Sequence, residues 1–233
     1  MKNLILMSIL ALTINSSFAS GCGTTLECEN RAIELNTRRN SHICEFQKEI
    51  PTFKEKEIKG SIRYMDSFSG SYHYDVLMKD GKTIFSVKLH LRSFDKLEDW
   101  QKDYYREQIS MALDMWNDAV RPHYPNYEFQ VEYVERSEAY FRPKLVTNKR
   151  WHGRGPYYAG WFFYWSPRTI AHELGHMFGL DDEYHNSLAS STSVCDRESL
   201  MCSNGNPNSS LKKYHFDILT KRALGSCVEN ATR

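Results

Sequence analysis

This sequence has almost no net charge. Its 30 lysines and arginines are balanced by 29 aspartates and glutamates. That balance leaves neither the basic footprint of a nucleic-acid binder nor the polybasic patch of a membrane-surface protein. Beyond residue 19 there is no apolar run long enough to span a bilayer, so a soluble mature protein is expected. Neither an internal repeat nor a low-complexity tract is present, which excludes a stacked array. Cysteine is scarce, but the six present, Cys22, Cys28, Cys44, Cys195, Cys202 and Cys227, are even in number.

What is present suits one good-sized domain with a small appendage. The chain has 233 residues, of which 41% are hydrophobic and 13% aromatic. Residues 1–19 read as a secretory signal peptide. Lys2 supplies the positive start, Leu4 to Ile14 the apolar stretch, and Ser17-Phe18-Ala19 a small-x-small cleavage site. Its removal takes away Lys2 and no acid, leaving 29 side chains of each sign. The expected location is therefore secreted or periplasmic. Ala19-Ser20-Gly21-Cys22 also has the outline of a lipobox, but alanine stands where leucine is usual. Lipidation at Cys22 would leave an odd number of thiols, whereas an exported chain favours disulfides. Their connectivity stays open. A free cysteine in the lead over residues 20–50 could instead ligate a metal and hold the chain latent.

Residues 51–233 are expected to form the main domain. Pro51 and the charged run Lys54-Glu55-Lys56-Glu57 mark a boundary, and strands are expected from about Ile58. Tyr72–Met78 and Thr83–Leu91 flank Lys79-Asp80-Gly81-Lys82, whose Asp-Gly pair signals a hairpin. Helical spacing of Leu97, Trp100, Tyr105, Ile109, Leu113, Trp116 and Val120 predicts a long helix over about 96–120, with Asp95 and Glu98 as its capping box. Tyr127 to Tyr133 alternate as a strand, and a shorter one is expected near Lys144–Thr147. Tyr157 to Trp165 read as a buried aromatic strand. His152 precedes it in a turn-rich loop and has no partner at ligand spacing. A final helix carrying Leu211, Tyr214, Ile218 and Leu219 is expected to be capped by Ser209 or Ser210 and to end near Gly225.

The chemistry concentrates in His172-Glu173-Leu174-Gly175-His176-Met177-Phe178-Gly179-Leu180-Asp181-Asp182. Two histidines four apart on a helix project from one face and can share a metal ion. Ser166 is a natural N-cap and Pro167 fits the first helical position. Gly179 can take the left-handed conformation that ends a helix, which brings Asp182 back as third ligand. Zn2+ held by three protein groups keeps a position for water, and Glu173 is placed to act on that water as general base. Asp181, Glu183, His185 and Glu198 are weaker candidates for the third ligand.

These residues resemble the metzincin zinc peptidases, whose long motif ends in a third ligand after a glycine turn. Ser199-Leu200-Met201, nineteen residues past Asp182, is similar to that clan's Met-turn. The run through Asp182-Glu183-Tyr184 resembles the snapalysin-type branch, or bacterial H-E-x-G-H-x-x-G-L-x-D-E-Y proteins. Two departures stand out. Aspartate replaces the usual histidine ligand, and Ser203 stands where a tyrosine often assists the transition state, with Tyr184 or Tyr214 as replacements. The resemblance implies an α+β zincin fold: a twisted mixed sheet packed on a long helix and the motif helix, then an irregular segment, the Met-turn and a last helix. It also implies an exported zinc endopeptidase, acting as a monomer on protein or peptide substrates. The segment Trp151–Trp165 would line the cleft and the loop Glu183–Asn208 would shape a side-chain pocket. A non-catalytic binding module with the same fold, or a zinc hydrolase of a non-peptide amide, are the alternatives.

Overall fold

The computed structural model describes residues 44–45, 54–64, 68–147, 160–183, 196–224 and 226–227. The expected signal peptide, Cys22, Cys28, His152, Tyr184, His185 and Cys195 lie outside them.

The chain is α+β, with a mixed four-stranded sheet in the order β2-β3-β4-β5. Strands β2 (Glu55–Tyr64), β3 (Phe68–Lys79) and β4 (Lys82–Leu89) run antiparallel, and β5 (Tyr127–Tyr133) lies parallel to β4. The β3–β4 hairpin turns at Asp80 and Gly81, both with positive φ, 51° and 75°. Two positive-φ residues in a two-residue loop match the right-handed twist of the strands. The parallel β4–β5 pair requires a crossover, which helix α1 (Asp99–Val120) supplies. Past β4, bridges at Leu89↔Phe141 and Arg92↔Lys144 carry the pairing on to β6 (Lys144–Val146), which is parallel to β7 (Gly160–Phe162). Helices α2 (Pro167–Met177) and α3 (Lys213–Leu224) follow. The short strands β1 (Cys44–Glu45) and β8 (Ser226–Cys227) pair antiparallel, placing Cys44 opposite Cys227 in register. Cys202 is disulfide-bonded. No helix among the described residues is long and apolar enough to cross a membrane.

The core lies between the sheet and the helices α1 and α2. Tyr74, Val76, Phe85, Val87, Leu89 and Phe129 point from the sheet into it, as period-2 alternation dictates. Tyr105, Ile109, Ala112, Trp116 and Val120 meet them from α1, as does Gln108. Trp116 is the hinge of this packing. Its ring lies 4.8 Å from Phe129 and 5.1 Å from Phe178, and its Nε1–H donates to the Ala171 carbonyl at 2.9 Å. It thus joins the long helix, the sheet and the motif helix. Trp116→Ala is expected to destabilise the fold by about 3–5 kcal/mol, from the cavity it leaves together with the lost bond. Urea unfolding reads this, and an unchanged midpoint would contradict it.

The structure corrects several sequence expectations. The long helix starts at Asp99 with Glu98 as N-cap, and Gln101 Oε1 accepts the Glu98 N–H at 3.0 Å. Asp95 sits instead in a separate 3-10 turn, Phe94–Lys96. Trp100 is 61% exposed, because it lies in the first turn, beyond the edge of the core, against the Phe163 ring. The charged run is not a bare boundary. Glu55, Lys56 and Glu57 open β2, and Lys56 Nζ reaches the Ala223 carbonyl at 3.2 Å. Of the aromatic stretch, only Gly160–Phe162 is strand among the described residues, and Tyr164 is exposed. The last helix starts at Lys213, later than Ser209 or Ser210 implied. Ser210 is used in a bridge to Ser199, and the His215 ring accepts the Lys212 N–H at 2.9 Å.

Candidate metal centre

Helix α2 begins where its sequence dictates. Ser166 is extended, its hydroxyl accepts the Thr169 N–H at 3.3 Å, and Pro167 follows at the first helical position. Every residue from Ile170 to Met177 is buried, including His172, Glu173 and His176. A helix this enclosed carries charged groups only where they have a purpose or a partner. It ends at Met177 with Phe178 as C-cap, and Gly179 follows with the left-handed φ of 95° expected of it.

The turn brings Asp182 against both histidines. His172 Nε2 and His176 Nε2 lie 3.2 Å apart, and Asp182 Oδ1 lies 3.2 Å from each. Both rings are oriented from behind. His172 Nδ1–H donates to the Leu200 carbonyl at 3.0 Å, and His176 Nδ1–H to the Leu180 carbonyl at 2.8 Å. A carbonyl can only accept, so Nδ1 carries a proton in each ring and Nε2 is left facing the cluster, open to a metal ion or to a second proton. Two imidazole nitrogens and one carboxylate oxygen therefore meet in a buried space, and the Asp182 side chain is only 6% exposed.

This arrangement fits a cation. A tetrahedral ion with bonds of about 2.0–2.1 Å has ligand-to-ligand edges of about 3.3–3.4 Å. The three observed edges, 3.2 Å each, come within a tenth or two of that. Among the described residues, His172, His176 and Asp182 form the one group that could hold a metal ion in this way.

The electrostatics agree. Burial opposes charge on His176, yet the adjacent Asp182 carboxylate, with Glu173 nearby, pushes its pKa up to about 9. Burial likewise opposes charge on Asp182, but the two imidazoles hold it well below the usual carboxylate range. In the ion-free chain a proton thus takes the cation's place. Its contribution to stability is full below the ordinary imidazole value of 6.5 and is lost as pH rises through about 9. A metal has to displace that proton, so affinity rises with pH up to the same point. Calorimetric titration with zinc at pH 7, in buffers of different ionisation enthalpy, is expected to show release of about one proton per ion. No release would contradict the assignment.

Glu173 sits beside the cluster. Burial raises its pKa, offset in part by His172 and His176, and its Oε2 is buried with no hydrogen-bond partner. A buried carboxylate oxygen without a donor is costly unless something else occupies the site.

Met201 lies directly under the helix. A Cβ on Gly175 would sit 2.5 Å from Met201 Sδ, so the sulfur passes where only glycine leaves room. The same turn supplies the Leu200 carbonyl that orients His172, and its Met201 carbonyl accepts the Glu183 N–H at 3.1 Å.

Among the other sequence candidates, Glu183 is buried and turns toward α3, and Glu198 is exposed on its loop. Tyr214 does not fill the transition-state role considered for it. Its hydroxyl is buried and donates to Glu183 Oε1 at 2.8 Å. Two supports carry no local sequence signature: Trp116 under α2, and the contacts of Arg222 with the Gly179 carbonyl and of His215 with Glu183. A non-local cue to the second is an acid directly after a ligand, followed later by a Tyr-His pair on a helix. No protein-family model matches the chain, and no curated protein or solved structure proved similar to it.

Proposed function

We propose that this chain is an exported zinc-dependent endopeptidase with a metzincin-like catalytic domain. One observation carries the reading. Two imidazole nitrogens and a carboxylate oxygen, buried and 3.2 Å from one another, converge beside a buried glutamate. A site that only stored a metal has no use for Glu173. The order of elements supports the clan assignment: sheet, long helix, motif helix, glycine turn, methionine turn and last helix.

His172, His176 and Asp182 would hold zinc. Bound there, it supplies Lewis acidity to a substrate carbonyl and to a water. Glu173 takes a proton from that water and delivers it to the leaving amine. The Leu200 and Leu180 carbonyls keep both imidazoles in the ligating tautomer throughout. With Asp182 as third ligand, the centre would acidify a water less than three histidines would.

The test is a diverse peptide mixture incubated with the mature protein. Cleavage is expected, with loss on chelation and recovery on adding zinc. Cleavage that persists through chelation contradicts the metal mechanism. No cleavage with zinc bound favours a binding module or a hydrolase of another amide.

A further inference from the structure

Asp182 is the third member of the cluster, and its carboxylate meets the two imidazoles, with Oδ1 3.2 Å from each Nε2. What delivers it there is the chain on both sides, and the last helix holds that chain at the Gly179 carbonyl and at the Glu183 side chain.

At the upstream end, Arg222 Nη1 donates to the Gly179 carbonyl at 2.6 Å, with its guanidinium 4.9 Å over the Tyr72 ring. The fit is close. A Cβ on Gly179 would lie 2.6 Å from Arg222 Nη1 and 2.8 Å from Tyr72 Cγ. At the downstream end, Glu183 Oε1 accepts from Tyr214 OH and from His215 Nε2, each at 2.8 Å. The donor assignment for His215 is fixed, because its Nδ1 accepts the Lys212 N–H and leaves the proton on Nε2. The Glu183 N–H is held in addition by the Met201 carbonyl.

His215 and Arg222 are seven residues apart on α3, so they share a face and stand about 10 Å apart along the axis. The stretch from residue 179 to 183 spans at most about 14 Å. The helix spacing lies within that reach, so both contacts can be made at once.

We infer that α3 is a two-point clamp, with Glu183 and Arg222 as positioning residues that hold Asp182 in line with the two imidazoles. The inference rests on the metal-site reading above. It assigns the last helix a task in the centre although it contributes no ligand.

Cobalt(II) titration of the full mature protein tests it, read by the visible d–d absorption and by competition with a chelator. Glu183→Ala and Arg222→Ala are each expected to weaken affinity about 10–100-fold, the usual effect of removing an outer-shell support. Glu183→Gln keeps the Oε1 acceptor and is expected to stay near wild type. Val76→Ala, a core truncation on β3, controls for stability and is expected to bind normally. The inference is overturned if folded Glu183→Ala and Arg222→Ala bind as tightly as wild type, or if Val76→Ala weakens binding equally. Wild-type protein that binds no cobalt would overturn the metal-site reading itself.

Discussion

Glu173→Gln is expected to leave the metal bound and the hydrolysis lost. The substitution keeps size and shape at a fully enclosed position, so the helix and the facing cluster stay as they are. What disappears is the proton acceptor. Positioned general acid–base groups contribute about 10²–10⁴-fold, and a loss of that order in kcat is the expected result. KM is expected to change little, because Glu173 acts on the water and not on the bound chain. Thermal unfolding with zinc present is the control for folding. Retained turnover in a folded, metal-loaded variant would remove Glu173 from the mechanism.

Asp182→Ala is the second large effect. It leaves two imidazoles at 3.2 Å without their paired carboxylate, and only Glu173 stays nearby. The loss of a ligand exceeds the loss of an outer-shell support, so affinity is expected to fall by more than about 100-fold. The ion-free protein should respond as well. Without that carboxylate, burial is opposed only by the weaker pull of Glu173 and the Leu180 carbonyl, so the His176 pKa is expected to fall from the value of about 9 that it has beside Asp182. Histidine proton resonances followed through a pH titration read this directly. Full zinc occupancy in the Asp182→Ala variant would mean that another group is the third ligand.

Local signals carried much of the site to the surface of the sequence. Ser166-Pro167 marks the helix start because a cap and a fixed φ are one- and two-residue properties. Gly179 marks its end because only glycine adopts φ of 95° without strain. The spacing of His172 and His176 is a helical repeat and needs no tertiary knowledge. The hairpin at Asp80-Gly81 is legible for the same reason. Other features were not legible because they depend on distant partners. Trp100 has the same spacing as the core residues of its helix, and its exposure follows from where the sheet edge falls. Glu55 to Glu57 read as a boundary, and their place in β2 depends on pairing with β3, which no local pattern in so charged a run announces. The clamp on Asp182 joins Gly179 to Arg222 and Glu183 to Tyr214 and His215, and those separations carry no sequence periodicity. Short-range geometry marks the candidate ligands, and long-range packing positions them.

Metal content is the most direct test of the central assignment. Full-length mature protein, purified without chelator, dialysed against zinc and passed through a desalting column, is analysed by atomic emission. About one zinc per chain is expected, falling to a small fraction in His172→Ala and in His176→Ala. A wild-type protein that leaves the column without zinc, or histidine variants that retain it fully, would contradict the account.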